Sequence, residues 1–242
     1  LKVVGIFGPT GVGKTGVAVA LAELLRERGE DAVAINCDAL QVYEGLEVLT
    51  GTATREEQER LEHRLLGFVP ITESFSVGDY MPLAHREVDV ALAAGRWPIL
   101  VGGTGLYLRA AVADLSLRKV PPESEGSEIW SPQTRHPTTI FGLEMDRDLL
   151  YERINARVEA IVAGGAAEEV RRADAMGPGR SARKALGFDE LLSGDIEAMK
   201  KRSRNYARRQ LTWMRKIPDL IPIDRSGLGD DEAAAKIVGL AG

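Results

Sequence analysis

Short apolar runs rich in β-branched residues alternate along this chain with longer segments whose apolar residues return every three or four positions. The runs Lys2–Phe7, Asp31–Asn36, Leu66–Val69, Pro98–Val101, Thr139–Met145 and Leu220–Ile223 are short and flanked by Gly or Pro, which predicts strands. Lys14–Arg28, Met81–Ala94, Arg147–Val162, Ala166–Met176 and Asp195–Lys216 carry the helical period. The first of these puts Val17, Leu21, Leu24 and Leu25 on one face, with Gly29 where a terminating glycine belongs. Strands apolar on both faces, alternating with helices, predict a parallel sheet covered on both sides. The opening LKVVGIFGPTG lacks a basic n-region and a cleavage site, and reads as the first buried strand rather than a signal peptide. Residues 118–137 break the pattern, with prolines at 121, 122, 132 and 137 and a polar ESEGSE run. Residues 1–117 and 138–242 therefore read as one core, interrupted by an irregular segment; a structureless stretch of about 20 residues inside a compact domain calls for a reason.

Composition changes this picture little. Hydrophobic residues at 44% and charged residues at 28% fit an ordinary globular chain. No run of about 18 apolar residues offers a membrane span. The net charge of −5 means that any polyanion must meet a local basic patch. Lys200, Lys201, Arg202, Arg204, Arg208, Arg209, Arg215 and Lys216 supply one, on the side of a predicted helix opposite Met199, Tyr206, Trp213, Met214 and Ile217. Such a helix fits packing on a core while tracking phosphates, and fits equally a solvated basic face. The single Cys37 excludes an internal disulfide and fits a reducing cytoplasm.

The strongest chemical signal is Gly8-Pro-Thr-Gly-Val-Gly-Lys-Thr15, a full Walker A sequence directly after a predicted strand and opening a predicted helix. In such a loop backbone N–H groups turn inward around phosphate oxygens at a helix N-terminus, Lys14 adds a point charge, and the Thr15 hydroxyl suits a Mg²⁺ ligand. P-loop NTPases add an acidic residue at the end of an apolar strand. Here Pro98–Val101 runs instead into Gly102-Gly103-Thr104-Gly105, which leaves either room for a flat base or a tight strand–helix turn. The second strand ends in Asn36-Cys37-Asp38, beside the phosphate loop in an open parallel sheet. Asp38 is thus placed as a general base or metal partner, or as a cap on Ala39–Tyr43.

Six segments in order, GPTGVGKT, CDALQVYEGLEVLTGTAT, VGGTGLYLRA, MDRDLLYERINARVEAI, KALGFDELL and RNYARRQLTWMRK, resemble the bacterial tRNA dimethylallyltransferases (isopentenyl-tRNA transferases). The resemblance implies an α/β, P-loop NTPase-like parallel sheet flanked by helices. It implies that a dimethylallyl group passes from dimethylallyl diphosphate to the exocyclic N6 of the adenine 3′ of the anticodon. Gly8, Thr10, Gly11, Val12, Gly13, Lys14, Thr15 and Arg157 are then expected to hold the diphosphate, with Mg²⁺ at Thr15 and Asp38 as general base. Contacts to tRNA are expected at Asp38, Ala39, Leu40, Gln41, Thr104, Lys184 and Phe188, to which the basic helix adds Arg204, Arg208 and Arg215. The implied partners are the tRNA anticodon arm and dimethylallyl diphosphate, and the implied form is a cytoplasmic monomer.

Two of these residues have simpler alternatives. Arg157 shares a predicted helix with Asp148, Glu152 and Glu159, so an exposed face of i,i+4 ion pairs accounts for it too. Gly187-Phe188 reads as a helix stop or as a base-stacking aromatic. The family also carries, between the positions equivalent to Pro122 and Trp130, an Arg-rich helical insertion that grips the anticodon arm. No such motif occurs here, so the insertion is expected to be reduced or unseen in this chain. Three other readings compete: an adenylate isopentenyltransferase acting on free AMP, ADP or ATP; a P-loop kinase, which needs an arginine-bearing lid; and a non-catalytic nucleotide-binding RNA adaptor, which Asp38 argues against.

Overall fold

The computed structural model describes residues 2–116 and 129–241, so residues 118–128 of the expected irregular segment lie outside the described residues. Strands β1 (Val3–Phe7), β2 (Asp31–Asn36), β3 (His63–Arg64), β4 (Arg96–Gly102), β5 (Thr138–Glu144) and β6 (Ile221–Asp224) form one sheet in the order β3-β2-β4-β1-β5-β6. Every pairing is parallel. The helices are α1 (Lys14–Glu27), α2 (Glu47–Thr50), α3 (Arg55–Arg60), α4 (Val77–Ala93), α5 (Gly105–Val112), α6 (Arg147–Ala163), α7 (Ala166–Ala175), α8 (Phe188–Ser193), α9 (Ile196–Met214) and α10 (Asp230–Ala241).

The side-chain alternation of the strands feeds two cores. Val4 and Ile6 of β1 face α1 and α10, where Val17 and Leu21 pack with Ala233 and Ile237. Val3 and Phe7 face α4 and α5, where Tyr80 and Val88 meet Tyr107 and Leu108. β1 is buried along its whole length, which is why it reads as an unbroken apolar run. A third cluster stands off the sheet: Tyr43, Leu46 and Leu49 pack with Val158, Val170, Phe188 and Met199. Among the described residues no helix is long and apolar enough to cross a membrane.

Local chemistry explains where elements depart from expectation. The strand expected at Leu66–Val69 does not form; Leu65 (φ 60) and Gly67 (φ 51) leave the extended region, and Val69 makes only an isolated bridge to Tyr43. Helix α4 starts at Val77 rather than Met81, because Ser76 and Asp79 close a capping box. Helices α5, α8 and α10 are short or so rich in alanine that the apolar period has little contrast. Of the irregular segment, residues 129–131 are held by Arg109, which is 1% exposed and donates to the carbonyls of Ile129 (2.7 Å) and Ser131 (2.6 Å). That seats Trp130 on Trp213, ring centroids 4.7 Å apart.

Candidate active site

Because β1, β4 and β2 are neighbours, their C-terminal ends set the P-loop, the Gly102 turn and Asp38 side by side. These line one side of a cleft of about 670 Å³. The other side comes from Thr50–Thr52, from Arg153 and Arg157 of α6, and from Met199, Ser203 and Tyr206 of α9.

In the P-loop, Gly13 (φ 89) makes the left-handed turn into α1. Lys14 curls back over the loop, its ammonium donating to the carbonyls of Gly8 (3.1 Å) and Pro9 (3.0 Å). Burial pushes Lys14 down to about 8; Asp38 opposes the fall and Arg157 adds to it. Thr10, Gly11, Gly13, Lys14 and Thr15 line the cleft. Gly8 and Val12 are buried behind it, Gly8 against the carbonyl of Leu143 and Val12 in the core. The loop is braced from the rear by Arg225, which no motif marks. Only 3% exposed, Arg225 donates to the carbonyls of Val12 (2.8 Å) and Gly13 (3.2 Å) and pairs with Asp230 at 2.6 Å. In a trans peptide the N–H lies opposite the C=O, so the N–H groups of Gly13 and Lys14 face away from Arg225.

Asp38 is half-buried in the cleft wall, and its Oδ1 accepts the N–H of Leu40 at 2.9 Å. Residues 39–43 form turns rather than a helix, so the capping alternative is reduced to this one bond, which steadies the carboxylate. Gln41 Nε2 donates to the carbonyls of Thr50 and Gly51, each at 3.2 Å, and Arg157 Nη2 donates to Thr50 at 2.9 Å. Arg157 is therefore not part of an exposed ion-paired face. Helix α6 buries Leu150, Ile154 and Val158, and the arginines flanking that stripe reach inward, Arg153 donating to Gly11 at 3.0 Å. Burial lowers the Arg157 pKa, while Asp38 and Glu57 oppose the shift.

The Thr50–Gly51 corner makes a prediction. Gly51 has φ 58, and a side chain there would meet the Arg157 guanidinium at 2.2 Å. Gly51→Ala is expected to lower stability by about 1–2 kcal/mol from the backbone alone, measured by urea denaturation, and to displace Arg157 from Thr50.

Other expected contacts are placed differently. The glycines at the end of β4 are closed on their Cβ side: side chains there would meet the carbonyl of Cys37 (Gly102), Gln210 (Gly103) and Trp213 (Gly105). A cavity of about 390 Å³ opens beside Gly103, Thr104 and Gly105, walled by Tyr206, Arg209 and Trp213. Phe188 is a correction. It is fully buried in the off-sheet cluster, so it cannot stack on a base, and Gly187 opens α8 rather than stopping a helix. Lys184 is exposed, and Ala39 and Leu40 are half-buried. Thr104 Oγ1 accepts the N–H of Ala39 at 3.3 Å, and burial pushes Tyr206 up to about 12, with Thr104 and Gln210 opposing the rise.

The basic stretch divides. Lys200 pairs with Glu159 and Glu197, Arg202 with Glu190, and Arg204 donates to Asn155 at 2.6 Å. Lys201, Arg208, Arg209, Arg215 and Lys216 are exposed, with Arg208 bonded to Asn205 in its own helix.

A family model described as IPP transferase matches residues 41–131 and 119–217. The chain belongs to the IPP transferase family. A tRNA dimethylallyltransferase of Salinispora tropica is 31% identical, the match covering 98% of this chain and 92% of that one. The tRNA isopentenylpyrophosphate transferase of Bacillus halodurans superposes with a TM-score of 0.86 at 29% identity, over 99% of this chain and 95% of that one. A eukaryotic dimethylallyltransferase acting on tRNA shares the fold, with a TM-score of 0.83 at 21% identity over 99% of this chain and 78% of that one. The parallel sheet flanked by helices is thus the fold of the IPP transferases. The Salinispora alignment runs over 299 positions against the 242 residues here, and the two pieces of the IPP transferase match overlap at residues 119–131. That overlap falls where a reduced insertion is expected.

Proposed function

We infer that this enzyme transfers a dimethylallyl group from dimethylallyl diphosphate to N6 of the adenine 3′ of the anticodon in tRNA. The observation that carries the reading is the meeting of Lys14, Arg157 and Asp38 in one cleft beside the P-loop. In the transfer, the C–O bond to the diphosphate breaks as the adenine nitrogen forms the new C–N bond. The bonding pair leaves with pyrophosphate, and N6 gives up a proton. Lys14 and Arg157 stabilise the charge gathering on pyrophosphate more strongly in the transition state than before it. Asp38 takes the proton. Gln41 and Thr104, which brace the segment around Asp38, orient the adenine.

The residues also fit Mg²⁺. Thr15 lines the cleft beside Lys14, and among the described residues no group of three or more His, Cys, Asp or Glu could hold a metal. In a P-loop the Ser or Thr after the lysine gives its hydroxyl to Mg²⁺, and substrate phosphate oxygens and water would complete the set. When bound at Thr15, Mg²⁺ supplies further neutralisation of the diphosphate. That one chain contributes every residue used supports a monomer, and a tRNA acceptor supports a cytoplasmic enzyme.

The test is incubation with labelled dimethylallyl diphosphate and either unmodified tRNA or AMP. Label in tRNA is expected; label in AMP alone overturns the reading in favour of a free-adenylate enzyme. Family membership and the exposed cations of α9 both weigh against that alternative. A second measurement concerns those cations. Replacing Arg204, Arg208 and Arg215 with Gln is expected to weaken tRNA binding while leaving diphosphate binding alone. For each cation that neutralises a tRNA phosphate, its removal flattens the log–log salt dependence of affinity by about one unit or slightly less. The half-buried Arg204, held by Asn155, contributes least of the three. Superimposable salt lines for wild type and variant would make the basic face mere solvated surface.

A further inference from the structure

Gln210 lies on the apolar face of α9 with Met199, Ala207 and Met214, and is 4% exposed. Its amide is engaged at both ends. Oε1 accepts the N–H of Thr10 at 2.8 Å, and Nε2 donates to the carbonyl of Gly103 at 2.9 Å. The lack of a side chain at Gly103 is what admits this approach. Gly103 leads directly into Thr104, whose N–H donates to the carbonyl of Cys37 at 3.4 Å. Thr104 in turn accepts the N–H of Ala39. The path from the P-loop through Gln210 and the Gly103–Thr104 backbone therefore ends on the two residues that flank Asp38.

We propose that Gln210 is a positioning residue that fixes the distance between the diphosphate on the P-loop and the carboxylate of Asp38. The proposal rests on the transfer reading above. It answers a problem set by the topology: the P-loop follows β1 and Asp38 follows β2, and β4 lies between those strands, so no ladder bond joins them. Transfer needs reacting atoms held about 3–3.5 Å apart, and a misplacement of about 1 Å costs about 10²-fold in rate. A neutral amide is suited to the link. It accepts from Thr10 and donates to Gly103 at once, and it adds no charge beside the diphosphate. Glutamate keeps the acceptor and loses the donor; methionine has the length and loses both.

The test compares wild type with Gln210→Met and Gln210→Glu, each first confirmed as folded by circular dichroism and thermal melting. With both substrates saturating, the single-turnover rate is expected to fall about 10²-fold in Gln210→Met, and less in Gln210→Glu. Affinities for inorganic pyrophosphate and for tRNA are expected to stay unchanged. A second arm needs no acceptor. Pyrophosphate binding to wild type is expected to slow amide hydrogen exchange at Ala39 and Thr104 as well as in the P-loop, whereas in Gln210→Met the protection stops at the P-loop. Unchanged rates, a rate loss explained by lost pyrophosphate affinity, or protection that spreads equally in the variant would each overturn the proposal. Wild-type protein that spreads protection but labels no tRNA would overturn the transfer reading and leave the Gln210 link standing.

Discussion

Lys14→Ala is expected to reduce prenyl transfer by about 10²–10³-fold or more, the scale seen when a donor aimed at developing negative charge is removed. The loss belongs to the diphosphate half of the reaction: both KM for the diphosphate and the single-turnover rate should suffer, while tRNA affinity holds. The fold is expected to survive. A lysine whose pKa falls from 10.5 to about 8 on folding disfavours the folded state at neutral pH, so removing the ammonium relieves that cost. A melting curve at or above the wild-type midpoint, together with lost turnover, is the expected pair of results. Turnover with an unchanged KM for the diphosphate would remove the P-loop from the mechanism.

Asp38→Asn separates chemistry from binding. The amide keeps the shape of the carboxylate and the acceptor oxygen for Leu40, so the turn at 38–40 stays in place. What disappears is the capacity to take a proton from N6, and the single-turnover rate is expected to drop about 10²–10⁴-fold with tRNA binding retained. Loss of tRNA affinity at an unchanged rate would instead make Asp38 a residue that only shapes the loop.

How much of this was legible depended on whether the signal was local. The P-loop could be read because a single loop holds its whole machinery, and β1 because both of its faces are buried. Asp38 could be placed near it because residues just past the strand ends of an open parallel sheet line one crevice. The glycines at the end of β4 were only half legible, because an absent side chain says that something approaches without saying what, and Cys37, Gln210 and Trp213 are among what does. Phe188 misled because an aromatic next to a glycine looks the same whether it faces a base or a core. Arg225 was out of reach, being about 210 residues from the carbonyls it meets. Gln210 did leave a trace: a polar residue in the middle of the apolar stripe of α9 announces a buried partner, though not its identity.

The bracing of the P-loop by Arg225 also orders events in time. Chains emerge from the ribosome N-terminus first at about 5–20 residues per second, so the Walker A sequence is outside well before Arg225, which lies about 210 residues further on. Its carbonyls at Val12 and Gly13 meet their donor only after β6 has been made and Arg225 is anchored by Asp230 at the start of α10. The nascent chain therefore carries the Walker A sequence long before that loop has its rear brace.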